Sequence, residues 1–258
     1  MTEETRIAVD AMGGDGGPSV IMPSINDFLS KHDDVKIEVY GNEKEIINHA
    51  KKFEQSLKRN IEIIHTEEKV LSEDSPSHAL RHKKKSSMSM AIQSVKNQKT
   101  QACVSAGNTG ALMAISRFIL GTLEGIDRPA IESMLPSLSG HTHVLDLGAN
   151  IDCKAEHLYQ FAVMGSVLSM ILDDKTNPSV GLLNVGTEDN KGVDELKITA
   201  ENLKQLTSKS IINYSGFIEG NDISIGKTNV VITDGFTGNI ALKTAEGTAR
   251  MIQANLKK

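Results

Sequence analysis

Val104–Met113 reads VSAGNTGALM, and Ile232–Lys243 reads ITDGFTGNIALK. Each runs from an apolar segment through Gly and a Thr-Gly turn into a stretch with helical apolar spacing. That is the pattern of a buried strand, a tight turn and a helix start. LDLGAN at Leu145–Asn150 and LNVGTE at Leu183–Glu188 repeat the strand-then-Gly half of it. Working outward, RIAVDA (Arg6–Ala11) leads into GGDGGP (Gly13–Pro18), with Pro18 suited to the first turn of a helix reaching about Ser30. KIEVYG (Lys36–Gly41) and IEIIHT (Ile61–Thr66) read as further strands, with a charged helix between them over Glu43–Leu57. A polar stretch after Thr66 ends as a helix before ACVSA (Ala102–Ala106). HVLDL (His143–Leu147), VGLLNV (Val180–Val185) and VVITD (Val230–Asp234) complete the strands. Strands alternating with helices predict a three-layer αβα, Rossmann-like, mostly parallel sheet with right-handed crossovers, within a single α/β domain over residues 1–258. In such a sheet the turns after the strands share one edge, where ligands bind, so the Gly-containing turns are expected to converge on one crevice.

The composition narrows the chemistry. Of 258 residues 39% are hydrophobic but only 3% aromatic, with no Trp, so aliphatic residues and Met must build the core. That scarcity, with a net charge of -5, argues against nucleic-acid binding, which wants aromatic platforms and a basic surface. Cys103 and Cys153 stand in unrelated contexts without metal-ligand spacing, and no signal peptide is apparent; a reduced, cytoplasmic protein is expected. FAVMGSVLSMIL (Phe161–Leu172) is too short to span a bilayer and reads as a buried helix.

The turns supply the candidate site. GNTG (Gly107–Gly110) offers backbone N–H groups at the positive end of a helix, with Asn108 or Thr109 as cap. An ordinary βα turn uses the same residues; the second copy, Asp234–Asn239, makes an anion cradle more economical. The loop Gly13–Pro18 is neither a P-loop nor a clean GxGxxG. Asp10 and Asp15 could orient its backbone or simply serve the turn. Lys191, in the Gly-bounded loop Asn184–Gly192, could neutralise phosphate, although most loop lysines are merely solvated. Asp146, Asn150 and His157 follow the LDLGAN strand, and His157 is the best-placed acid/base candidate, with a helix-surface histidine as the plainer reading. Arg81–Met88 (RHKKKSSM) is a cationic cluster suited to an acidic partner, or a solvated helix face. There is no GxSxG elbow and no HExxH, so a covalent protein nucleophile and a metal have little support.

In order along the chain, these motifs resemble the phosphate acyltransferase (PlsX) family. They are DAMGGD (Asp10–Asp15), the basic segment to SSM (Arg81–Met88), SAGNTGALM (Ser105–Met113), RPA…LP (Arg128–Pro136), LDLGAN, EHL (Glu156–Leu158), GLLNVGTEDNKG (Gly181–Gly192) and VVITDGFTGNIALKTAEG (Val230–Gly247). The resemblance implies a fold similar to the isocitrate/isopropylmalate dehydrogenases and phosphotransacetylases, a homodimer, and no metal or organic cofactor. It implies acyl transfer from acyl carrier protein to inorganic phosphate, giving acyl phosphate for phospholipid synthesis, with a membrane glycerol-3-phosphate acyltransferase downstream and peripheral membrane contact. A coenzyme A-dependent, phosphotransacetylase-like enzyme and an inactive carrier-binding module are the rival readings.

On that resemblance Lys191, Asn239 and His157 are the expected catalytic groups. Asp10, Gly13, Gly14, Ser105, Asn108, Thr109, Asp146, Asn150, Asn184, Asp234 and Thr237 are expected to bind phosphate or substrate. Arg81, Lys83, Lys84 and Lys85 are expected to dock the carrier protein. The family pattern also leads to the expectation of several tens of further residues after Lys258, including amphipathic helices and a YGG…HGSS region. Gly16-Gly17 and CKAEHL (Cys153–Leu158) vary the usual motifs.

Overall fold

The computed structural model describes residues 4–51, 53 and 59–257. The chain folds as two compact units, Met1–Leu123 and Glu124–Lys258. The parallel α/β architecture stands, but the strands form two sheets where the alternation alone reads as one.

In the first unit the strands are β1 (Arg6–Asp10), β2 (Lys36–Gly41), β3 (Ile61–His65) and β4 (Ala102–Ser105), ordered β3-β2-β1-β4 and all parallel. Strand side chains alternate, and both faces are covered. Val9, Ile37 and Val39 pack against Met22, Ile25 and Leu29 of α1 (Pro18–Leu29) and Ile46 of α2 (Glu43–Ala50). Residues 52 and 54–58, the far part of the helix expected after Glu43, lie outside the described residues. On the other face Ala8, Tyr40 and Cys103 meet Met90 and Ala91 of α4 (Ser87–Lys96). The polar stretch holds two helices, not one. α3 (Pro76–His82) and α4 are separated at Lys83–Ser86, and the Ser75 and Ser86 hydroxyls accept from His78 and Ser89 N–H as N-caps. α5 (Thr109–Leu120) follows β4.

In the second unit β5 (Glu132–Ser137) pairs antiparallel with β6 (Gly140–Leu145), and β7 (Ser179–Leu183), β8 (Asn213–Ile218) and β9 (Val230–Ile232) complete the order β5-β6-β9-β7-β8. α6 (Ala155–Leu172) and α7 (Asp194–Ser208) cover one face through Leu158, Phe161, Ala162, Ala200 and Leu203. α8 (Gly220–Ile225) and α9 (Gly235–Leu256) lie on the other, through Ile223 and Leu242. The apolar run in α6 is not buried all round. Its sheet-facing stripe is His157, Leu158, Phe161, Ala162, Gly165, Ser166 and Ser169, while Ile171 is 72% exposed. No described helix is long and apolar enough to cross a membrane.

Candidate functional site

Each sheet reverses its winding direction at one place, and Gly-containing turns stand there. In the first unit β1, β2 and β3 are laid down to one side, and β4 then returns beside β1. At such a switch point the two outgoing turns splay apart and leave room for a ligand. Asp10 ends β1 and Ser105 ends β4, paired in register, and Ser105 Oγ donates to Asp10 Oδ2 at 2.7 Å. The other carboxylate oxygen accepts the Met12 N–H, and Ser105 Oγ accepts the Gly107 N–H. Both side chains are therefore committed to shaping the turns. Gly13 shows how tight the packing is: a Cβ there would lie 2.7 Å from Gly107 N and 2.9 Å from Asp10 Oδ2. Gly14 adjoins it at φ +76°.

Asn108 is not free to hold phosphate with its side chain. Its Oδ1 caps α5 by accepting from Ala111 N–H, and its Nδ2 donates to the carbonyls of Leu71, Ser72 and Asp74. What the GNTG turn leaves at its exposed end is the Thr109 hydroxyl with the N–H groups of Thr109 and Gly110, first-turn amides that a helix cannot pair itself. Pro76, opening α3, sits over Gly110. The cationic segment continues from there: Arg81, Lys84 and Lys85 are exposed and Lys83 half-buried. None of the four has an ion-pair partner among the described residues. Their backbone is engaged, with the Lys83 carbonyl accepting from Ser86 and Ser89 hydroxyls, Lys85 N–H donating to Glu68 and the Lys85 carbonyl accepting from the Thr66 hydroxyl, and the Lys83 charge acts on Asp74.

In the second unit β6 and β7 are separated by β9, which returns last and inserts between them. Asp146 follows β6 and is fully buried. Its carboxylate accepts from the N–H groups of Ile131, Gly148, Ala149 and Asn150 and from Asn150 Nδ2, at 2.7–3.1 Å. A substrate has no access to it; it organises the LGAN turn. Asn150 Nδ2 also donates to the Pro129 carbonyl, and its own carbonyl accepts Gly235 N–H at 2.7 Å, tying the turn after β6 to the turn after β9. Only glycine fits the second partner: a Cβ on Gly235 would come within 2.7 Å of Asn150 O, and one on Gly238 would collide with the Asp146 carbonyl.

Asp234 caps α9, one oxygen accepting from Thr237 N–H and the other from the Thr237 hydroxyl, both at 2.8 Å. Asn184 is 9% exposed, accepts from Val185 N–H and donates to the Lys191 carbonyl, so it holds the loop that carries Lys191. Two of the expected groups stay uncommitted. Asn239 is exposed, with its carboxamide against Gly148, and Lys191 is exposed, its stem over Gly186; neither side chain has a polar partner among the described residues.

His157 departs from expectation. It is 5% exposed, and its Nδ1 accepts the Lys154 N–H as a cap of α6, so it is not a surface histidine and that nitrogen is spent on the helix start. Neither cysteine is placed as a reactive thiolate. Burial, with the Asp10 charge, pushes the Cys103 thiol up to about 12, and burial pushes Cys153 up to about 11. One cluster escaped the sequence reading altogether: His141, His143 and Asp173 gather where β6 begins and α6 ends.

The class is thus an α/β protein whose two sheets each present Gly-lined turns at the ends of their strands. Its fold is similar to that of the EutD phosphotransacetylase from Staphylococcus aureus, with a TM-score of 0.65 at 18% identity, covering 95% of this chain and 82% of that one. It is also similar to a branched-chain phosphotransacylase from Enterococcus faecalis, with a TM-score of 0.56 at 11% identity over 93% of this chain and 83% of the other. The family model described as "Fatty acid synthesis protein" matches residues 5–258. The phosphate acyltransferase of Methylococcus capsulatus is 50% identical over 254 residues, 98% of this chain and 74% of that protein. That of Nitrosococcus oceani is 50% identical over 253 residues, 98% of this chain and 73% of its own. The chain belongs to the phosphate acyltransferase (PlsX) family, and with it to the acyltransferases.

Proposed function

We propose that the protein transfers a fatty acyl group from the thioester of acyl carrier protein to inorganic phosphate, giving an acyl phosphate that feeds phosphatidic acid synthesis. The observation that carries the reading, beside family membership, is the division of labour at the second sheet edge. Asp146, Asn150, Asn184, Asp234 and Thr237 are spent on holding the turns, and that leaves the Lys191 ammonium and the Asn239 carboxamide as side chains free to meet a substrate.

The chemistry needs little else. An ionised phosphate oxygen attacks the thioester carbonyl carbon, a tetrahedral oxyanion forms, and the C–S bond breaks to release the carrier thiolate, which takes up a proton. Phosphate is the nucleophile in this reading, so protonated cysteines and the lack of a triad are no obstacle. The protein has to hold a dianion beside a carbonyl and stabilise the developing charge, which a lysine, an amide and turn N–H groups can do. Lys191 is assigned the electrostatic role and Asn239 a hydrogen bond to phosphate or oxyanion. In the first unit, Thr109 and the first-turn N–H groups of α5 are assigned to anion binding at that unit's own sheet edge. The unpaired cations Arg81, Lys83, Lys84 and Lys85 suit an acidic carrier protein. A homodimer at the membrane surface, handing its product to a membrane glycerol-3-phosphate acyltransferase, belongs to the same proposal.

The test supplies palmitoyl-carrier protein and phosphate and traps acyl phosphate with hydroxylamine. Acyl hydroxamate is expected, and Lys191→Ala is expected to lower its rate about 10²–10³-fold, the scale for removing one charge-stabilising donor. Product from acyl-coenzyme A alone would favour the phosphotransacetylase-like reading. Carrier binding without product would favour an inactive module. An unchanged rate in Lys191→Ala removes the central assignment.

A further inference from the structure

β6 carries His-Thr-His at 141–143, and residues two apart on a strand project from one face. Asp173, the C-cap of α6, meets both imidazoles. His141 Nε2 lies 2.8 Å from Oδ1 and His143 Nε2 lies 3.0 Å from Oδ2. The three ligand atoms lie within 4.8 Å of one another. On the far side of the His143 ring, Nδ1 is 2.7 Å from Glu132 Oε1, and Ser169 Oγ donates to Asp173 Oδ2 from one turn back along α6. His143 is fully buried, whereas the His141 side chain is 39% exposed.

We propose that His141 Nε2, His143 Nε2 and the Asp173 carboxylate form a binding site for a divalent ion of the zinc class, with Glu132 fixing His143 through Nδ1. Proton accounting leaves a place for an ion. Both nitrogens of His143 face carboxylate oxygens, and a neutral imidazole has one N–H, so one of the two contacts needs a further positive charge, either a second ring proton or a cation. A dication between Nε2 and Asp173 supplies it and leaves Nδ1–H to Glu132. That is the carboxylate–histidine–metal arrangement that orients ligands in known sites.

Charge points the same way. Glu132 and Asp173 have no lysine or arginine partner among the described residues, so a dication balances two carboxylates. The two Nε2–O separations, 2.8 and 3.0 Å, are a few tenths of an ångström inside the roughly 3.3 Å edge of a tetrahedron with metal bonds of about 2.0–2.1 Å, so the side chains would adjust slightly to close on an ion. The ion would also sit at the negative end of α6. Two imidazoles and a carboxylate suit zinc rather than magnesium or calcium, and the exposed side at His141 leaves a position for water. The cluster lies where β6 begins, away from the LGAN turn at its other end, so its role is to pin the β5–β6 hairpin to α6. It lies outside the acyl-transfer machinery.

Zinc chloride titrated into chelator-stripped, dialysed protein against a chromophoric competitor is expected to reveal a single tight equivalent per chain. Cobalt in its place is expected to give the visible d–d bands of a four-coordinate N/O site. His141→Ala, at a half-exposed position, should fold by circular dichroism and lose that equivalent, while Glu132→Gln should weaken it about 10–100-fold. His78→Ala, which removes a histidine of α3 whose ring lies 5.0 Å from that of His82, should leave it unchanged. Absence of a tight equivalent in the parent chain, or its persistence in His141→Ala, overturns the proposal.

Discussion

Asp146→Asn keeps the size and shape of a fully buried side chain and changes only which of its atoms can accept. Oδ1 receives the N–H groups of Ile131, Gly148 and Ala149, and the amide oxygen of the new side chain can take that place. Oδ2 receives Asn150 N–H at 2.7 Å and Asn150 Nδ2 at 2.8 Å. There the new NH₂ group sets donor against donor. Two buried donors lose their acceptor, each at about 1–3 kcal/mol, so a loss of about 2–6 kcal/mol is expected. With a urea m-value of roughly 1–3 kcal/mol/M, the transition of the second unit should move down by about 1–3 M. The chain has no Trp, so far-UV circular dichroism is the suitable probe, with amide exchange at Gly148–Asn150 reporting the turn itself. Rotating the amide does not help, because Oδ1 would then present NH₂ to three N–H groups. A midpoint within about 0.3 M of the parent would mean that the carboxylate is not the organiser of this turn.

Asn108→Ala removes the cap of α5 and the clamp on Leu71–Asp74 together. A stability loss of about 1–3 kcal/mol is expected, with new proteolytic cleavage near Ser72 as the qualitative sign. At pH 8 Cys103 should be thiolate in only on the order of one molecule in 10⁴ and Cys153 one in 10³, so iodoacetamide followed by mass spectrometry should find both unmodified in the folded chain. Acyl transfer should survive Cys153→Ala. The Asp222 carboxyl is held below the usual carboxylate range, first by the Glu219 N–H and then by Lys227. A depressed folded value means stability that is present above the ordinary pKa of about 3.9 and lost as pH falls through the folded one. Asp222→Asn should therefore flatten the acid limb of a stability–pH curve while leaving its slope near neutrality unchanged.

The strands legible in sequence were those that are apolar and end in glycine: β1, β4, β6, β7 and β9, together with β2 and β3. β5 and β8 were missed for a common reason. Both lie at sheet edges, where ESMLPS carries Pro136 and NYSGFI carries Gly216, so neither shows the dense apolar run of a central strand. The split into two sheets was illegible too, since alternation of strands and helices says nothing about where a sheet stops.

In the candidate site the positions were better read than the tasks. Asp146, Asn108 and Asp234 stand at the expected turns, yet each spends its oxygens on donors of its own turn. A capping residue and a ligand residue look alike in sequence, because both are short polar side chains beside glycine. His157 shows the same ambiguity on α6. The His141–His143–Asp173 cluster had even less signal, since Asp173 stands 30 residues from His143 and only the packing of α6 on β6 brings them together.

The order β5-β6-β9-β7-β8 has a consequence for synthesis on the ribosome. β9 is central in its sheet and the last of the described strands to be made, paired on one side with β6 and on the other with β7. About 47 residues separate the end of β7 at Leu183 from Val230, roughly 2–10 s of elongation at ~5–20 residues per second. Throughout that interval β6 and β7 each carry an open edge, the kind of surface that recruits strands from neighbouring nascent chains. The turn around Asp146 can close early from residues near in sequence, but the sheet seals only when its middle strand arrives.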